Sequence, residues 1–209
     1  MSFKKGDIVT VSNRFEDYLG TALVLYKDGE KVDIKIIDDP TGSKDVPEGG
    51  ILLRYESNNS IFAAYCDVLE ISEDTDVIKL RIYNTLSVIN RRFSTRYPAF
   101  IKVGISPLEL NQTFEGIIRN MSLRGFMVNT DVDLEVDSLV KLSFEFEGRT
   151  VDIKARIERK NVLDGNYIYG LCAVDLDYDQ KILMRSIITE LKEKNRKLIE
   201  RIIRDYIGD

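Results

Sequence analysis

Phe144-Glu-Phe-Glu-Gly-Arg-Thr-Val-Asp-Ile-Lys-Ala-Arg-Ile157 is the stretch that decides the fold of this chain. Apolar and polar residues alternate through Phe144–Phe146 and again from Val151 to Ile157, so one face is buried and the other is wet. Glu147-Gly148-Arg149 between the two runs supplies a turn, and the unit reads as a β-hairpin. Around it, Tyr97–Ile105, Thr113–Arg119, Gly125–Thr130, Leu139–Glu147, Thr150–Arg159 and Tyr167–Leu176 all have strand character, with a further turn at Asp164-Gly165-Asn166. Six strands of this kind predict a small all-β barrel or sandwich.

The first part of the chain repeats the theme. Strand-like runs cover Asp7–Ser12, Leu19–Tyr26, Val32–Ile37, Ile51–Ser57, Ile61–Ile71 and Asp76–Tyr83. Lys27-Asp-Gly-Glu30 is a hairpin signal, because Asp-Gly tolerates the positive φ angles of a tight turn. Asp38–Gly50 gathers Pro40, Gly42, Pro47, Gly49 and Gly50 and reads as a loop. The expected fold is therefore mainly β, with two small antiparallel β-barrel domains in tandem, residues 1–88 and 89–209, joined near Thr85–Arg92. A length of 209 residues accommodates two domains of about 100 residues each.

From Tyr178 the period changes. Ile182, Leu183, Ile187, Ile188, Leu191, Leu198, Ile199, Ile202, Ile203 and Tyr206 recur at three and four residues, which predicts a long C-terminal helix over about 178–206. Its first half reads as packed across one end of the second barrel. In the tail, Ile188, Leu191, Asn195, Leu198 and Ile202 fit an a/d heptad series, with Asn195 as a register-setting polar residue. That series makes the tail a candidate homodimer seam.

Composition excludes several classes of function. Histidine is absent, which removes the commonest zinc ligand and the commonest general base. The serines have no histidine partner for a hydrolase triad, and there is neither a P-loop nor a Gly-x-Gly-x-x-Gly run. Asp175, Asp177 and Asp179 resemble the start of a calcium loop, but Gln180 and Ser186 occupy the positions that require Gly and Glu. Asp131, Asp133, Glu135 and Asp137 fail in the same way, with Val136 at the turn. Both groups read as solvated loop carboxylates. The chain is thus expected not to be an enzyme and to hold no cofactor or metal.

A formal charge of −5 argues against a DNA or RNA binder, which needs a broad basic surface. No apolar run is long enough to cross a bilayer, the N-terminus does not read as a signal peptide, and the cytoplasm is the expected location. Cys66 and Cys172 read as small hydrophobes inside strands.

Against this acidic background, Asn90-Arg-Arg-Phe-Ser-Thr-Arg-Tyr97 places Arg91, Arg92 and Arg96 on the connector between the domains. Asn120-Met-Ser-Leu-Arg-Gly125 lies between two strands of the second domain. Arg92-x-x-x-Arg96, then Asn120-x-Ser122-x-x-Gly125 about one hairpin later, then a strand containing Tyr169-Gly170-Leu171 and a terminal helix, resemble the PilZ family of bacterial cyclic di-GMP receptors. The resemblance covers Ile89 to about Ile188. The preceding all-β half looks like the N-terminal domain of flagellar-brake (YcgR-like) proteins in architecture.

The resemblance implies that Arg92 and Arg96 bind base and phosphate, and that Arg91 stacks on a guanine and favours an intercalated ligand dimer. It implies that Asn120 and Ser122 hydrogen-bond the ligand, and that Gly125 keeps a Cβ out of the turn. Arginine suits this ligand because its planar fork can bind phosphate oxygens bidentately, address guanine O6 and N7, and stack on a purine face. The implied function is a receptor without catalysis that reorients its two domains to control a protein target in motility or surface attachment, such as flagellar motor or surface-structure machinery. The alternatives are a ligand-independent adaptor acting only through protein–protein contacts and a single-stranded nucleic-acid binder on small barrels.

Overall fold

The computed structural model describes residues 3–13, 18–38, 50–57, 60–72, 76–90, 94–163 and 165–207, without the side chains of Leu163 and Ile207. The chain divides into two compact units, residues 1–95 with 196–209, and residues 96–195.

In the first unit, β1 (Ile8–Asn13), β2 (Tyr18–Asp28), β3 (Lys31–Asp38), β4 (Ile51–Glu56), β5 (Ser60–Ser72) and β6 (Val77–Ile89) close into an antiparallel barrel in the order β1-β2-β3-β6-β5-β4. The β2–β3 turn is made at Gly29, whose φ is +51°, as the Asp-Gly pair predicts. Val9, Val24, Ile34, Leu53, Ala64 and Leu80 alternate inward and fill the barrel, and Phe3 closes on Phe62 edge-to-face at 4.9 Å.

Strand β6 departs from expectation by continuing six residues beyond Tyr83. It stays paired with β5 throughout, from Ser72–Val77 to Ser60–Ile89. Its second half, Tyr83–Ile89, is exposed on both faces, so no inside–outside alternation marks it as strand. The expected join at Thr85–Arg92 therefore falls largely on regular strand.

The second unit contains β7 (Tyr97–Pro107), β8 (Phe114–Met121), β9 (Gly125–Thr130), β10 (Leu139–Phe146), β11 (Arg149–Leu163) and β12 (Asn166–Ala173). They close in the order β10-β11-β12-β9-β8-β7. The β10–β11 hairpin pairs Phe144 with Val151 and Phe146 with Arg149, and its turn carries positive φ at both Glu147 and Gly148. Ile118, Phe126, Val128, Leu142, Ile153 and Ile157 form the core, and Met184, Ile187 and Leu191 of the helix pack onto it. Cys66 and Cys172 are both free thiols.

Helix α1 (Tyr178–Ile207) begins with a reciprocal cap. The Gln180 amide donates to Asp177 Oδ1 at 2.7 Å, and the Asp177 amide donates to Gln180 Oε1 at 3.1 Å. Asp177 is thus a helix cap rather than a freely solvated carboxylate. Asp133 likewise pairs with Lys160.

The heptad series on the tail has a different use from the expected dimer seam. Leu191 is buried in the second barrel's core, with Ile188 packed against it. Asn195, 8% exposed, donates from Nδ2 to the Pro98 carbonyl at 3.0 Å. Ile199, Ile202 and Ile203 pack with Leu23, Leu25 and Val77 in the first unit. The same spacing that would make a coiled-coil seam is spent on the chain's own cores. No helix among the described residues is long and apolar enough to cross a membrane.

Candidate functional site

The Asn120–Gly125 stretch is the β8–β9 hairpin turn, and its residue types make the turn. The Ser122 amide donates to the Gly125 carbonyl at 2.8 Å, while the Gly125 amide donates to Ser122 Oγ at 3.1 Å. Ser122, 4% exposed, thereby satisfies the turn's backbone with its own hydroxyl. Gly125 needs space rather than an unusual backbone conformation. A Cβ there would stand 3.0 Å from Ser122 Oγ and 3.7 Å from Arg96 Nη2.

Strand alternation then sets which side chains join Gly125. Phe126 and Val128 point into the core, so Gly125 and Met127 face outward. Met127 pairs with Asn120 on β8 and with Gly170 on β12. Asn120 Nδ2 reaches Met127 Sδ at 3.4 Å, and Asn120 Oδ1 is buried with no hydrogen-bond partner among the described residues. Asn129 Oδ1, two residues beyond Met127, is buried and unpartnered as well. Unpaired buried acceptors cost free energy that a ligand with N–H donors would recover.

Arg159, absent from the site residues read in the sequence, completes this face. Arg159 of β11 extends over Gly170, where an added Cβ would lie 2.4 Å from Arg159 Nε and 2.6 Å from its Cγ. Gly170 therefore serves as the bed for that side chain. The β11–β12 register shifts between Ile157 and Arg159, which inserts Glu158 as an extra residue and places both Glu158 and Arg159 on the outside. The only sequence signal for this was Gly170 in the Tyr169-Gly-Leu171 motif.

Arg96 meets this surface from the segment before β7. Burial disfavours its charge most, the nearby Arg159 guanidinium adds repulsion, and Glu158 partly opposes both, so its pKa lies below the ordinary arginine value. The Arg96 and Arg159 guanidiniums repel one another, with Glu158 opposing among the described residues, so the charge of this site is better matched when an anion is present. Its position is fixed nearby. Pro98 pairs with Asn120, a bulge between Pro98 and Ile101 carries Phe100 at φ +52°, and Asn195 holds the Pro98 carbonyl.

Of the residues singled out in the sequence, Arg96, Asn120, Ser122 and Gly125 are thus gathered at one end of the outer face of β8, β9 and β12. Arg91 and Arg92 lie outside the described residues.

The PilZ domain family matches residues 90–190 of the chain. The curated proteins give no match. Among solved structures, the K. pneumonia MrkH–c-di-GMP complex is similar over 92% of this chain and 90% of that one, at 13% identity and a TM-score of 0.54. YcgR from Escherichia coli in complex with c-di-GMP is similar over 94% of this chain and 88% of that one, at 12% identity and a TM-score of 0.51. At these identities the likeness is one of fold, and it extends over both barrels. Residues 90–190 match the PilZ domain family, and the chain as a whole shares its two-barrel fold with YcgR.

Proposed function

We propose that this protein is a cytoplasmic receptor for cyclic di-GMP that transmits ligand binding to a protein partner and catalyses nothing. The observation that carries the reading is the meeting of Arg96 with the Ser122–Gly125 turn beside Arg159 and the unpaired Asn120 Oδ1. Guanidiniums supply phosphate and guanine recognition, and an unpaired amide oxygen suits the N–H donors of a guanine edge. The MrkH and YcgR structures of like fold both contain c-di-GMP, which supports the same ligand here.

In this reading Arg91, Arg92, Arg96, Asn120, Ser122 and Gly125 are the ligand-binding residues, and Arg159 joins them. Residues 1–88 act as the interaction domain and 89–209 as the ligand-binding domain. Arg91 and Arg92 belong to the segment that joins them, so a ligand that gathers these arginines onto the second barrel restricts the connector and reorients the domains. The partner belongs to motility or surface-attachment machinery, such as the flagellar motor.

Thermal unfolding with cyclic di-GMP, GMP and GTP tests the receptor reading, because a ligand bound only by the folded state raises Tm. A rise with cyclic di-GMP alone supports it, and no rise with any of the three contradicts it, leaving the ligand-independent adaptor. Equilibrium dialysis then counts ligands per chain. Two in the wild type and one in Arg91→Ala is the expected pattern for a stacking Arg91. Small-angle scattering with and without ligand tests the reorientation.

A further inference from the structure

Beyond the nucleotide face, the second unit has a cleft of about 420 Å³ lined by Leu123, Arg124, Asp175, Leu176, Lys181 and Arg185. Its charge runs against that of the chain, three cations in a molecule of net charge −5. The Asp175 carboxylate is paired with Lys154 Nζ at 3.6 Å. Neither Lys181 nor Arg185 has an ion-pair partner among the described residues. Arg124 is anchored through Nη2 to the Ala173 carbonyl at 3.1 Å, which fixes its guanidinium at the cleft wall. Leu123, 38% exposed, and half-buried Leu176 provide an apolar floor between these charges.

We infer that this cleft docks an acidic, leucine-bearing segment of a protein partner, with carboxylates on Arg124, Lys181 and Arg185 and an apolar side chain over Leu123 and Leu176. Charge complementarity selects the occupant. A nucleic acid would call for a basic stripe that follows many phosphates, whereas three cations line this cleft, with Asp179 in the first turn of the same helix. The cleft's volume suits one or two inserted side chains rather than a whole packed element. One wall is also informative, since Leu123 and Arg124 are the two residues between Ser122 and Gly125. The cleft and the nucleotide face thus share one turn.

Fluorescence anisotropy on the full chain tests this without cyclic di-GMP, so its outcome is independent of nucleotide binding. The probe is a labelled decapeptide alternating glutamate and leucine, and the control is its lysine counterpart. Saturable binding of the acidic peptide alone is expected. Lys181→Glu with Arg185→Glu should weaken it at least ~10-fold, whereas Lys192→Glu with Lys197→Glu, elsewhere on the same helix, should change it less than ~2-fold. Leu123→Ser should weaken it without altering the salt dependence. These positions are on the surface, so circular dichroism should be unchanged. Absence of saturable binding, equal weakening by the two charge-reversed pairs, or preference for a single-stranded oligonucleotide or anionic lipid vesicles would overturn the inference.

Discussion

A methyl group at Gly125 would press on Ser122 Oγ at 3.0 Å, a proposed ligand contact, and would reach ordinary van der Waals contact with Arg96 Nη2 at 3.7 Å. Because φ at Gly125 is not positive, Gly125→Ala should fold normally while losing cyclic di-GMP affinity by roughly 10-fold, one bidentate contact's worth. Gly170→Ala should act differently. Its Cβ would meet the Arg159 side chain at 2.4–3.0 Å and displace it, so titration of both variants separates the contribution of Arg159 from that of the Ser122–Gly125 turn. Cys66 offers a check on the first barrel. Burial, helped by Asp67 and opposed by Lys27, pushes its thiol from 9.0 up to about 12. Since the folded pKa is the higher one, the stabilisation is fully present below pH 9.0 and is lost as pH rises toward about 12. Iodoacetamide at about pH 8 should spare Cys66 in the folded protein and label it in urea. Asn120, Ser122 and Gly125 were legible in the sequence because a turn motif is local. Arg159 was not, because the bulge at Glu158 interrupts the alternation that assigns side chains to faces.

The helix and its attachments show how one spacing can serve two architectures. Its length and apolar stripe were legible from period alone, whereas its partner was not, since a/d positions pack against a barrel as readily as against a second helix. The proposed register residue Asn195 instead donates to the Pro98 carbonyl from a buried position. Asn195→Ala should cost about 1–3 kcal/mol in urea unfolding by stranding that carbonyl. Sedimentation should show the same association state as the wild type. The Asp177–Gln180 cap was readable as Asp-x-x-Gln before an apolar run, and Asp177→Ala should cost about 1 kcal/mol in the same measurement. Strand β6 is the converse case, a long element hidden because its exposed half, Asn84–Ile89, carries no buried face.

At the scale of the whole molecule, the two-barrel architecture followed from strand runs and turns at regular spacing, and closure of both barrels agrees with it. The chain is acidic overall yet gathers Arg96 and Arg159 on one outer barrel face and three cations in one cleft, the local charge pattern on which the proposed reading rests. In the proposed function, Arg96 and the Asn120–Gly125 turn bind cyclic di-GMP. Calorimetric titration of the wild type and Arg96→Ala with cyclic di-GMP tests it most directly. Saturable heat is expected for the wild type and affinity at least ~10-fold weaker for the variant, with the barrel still folded. Wild-type protein that gives no heat at high ligand concentration, or an Arg96→Ala variant that binds as tightly as the wild type, would contradict it.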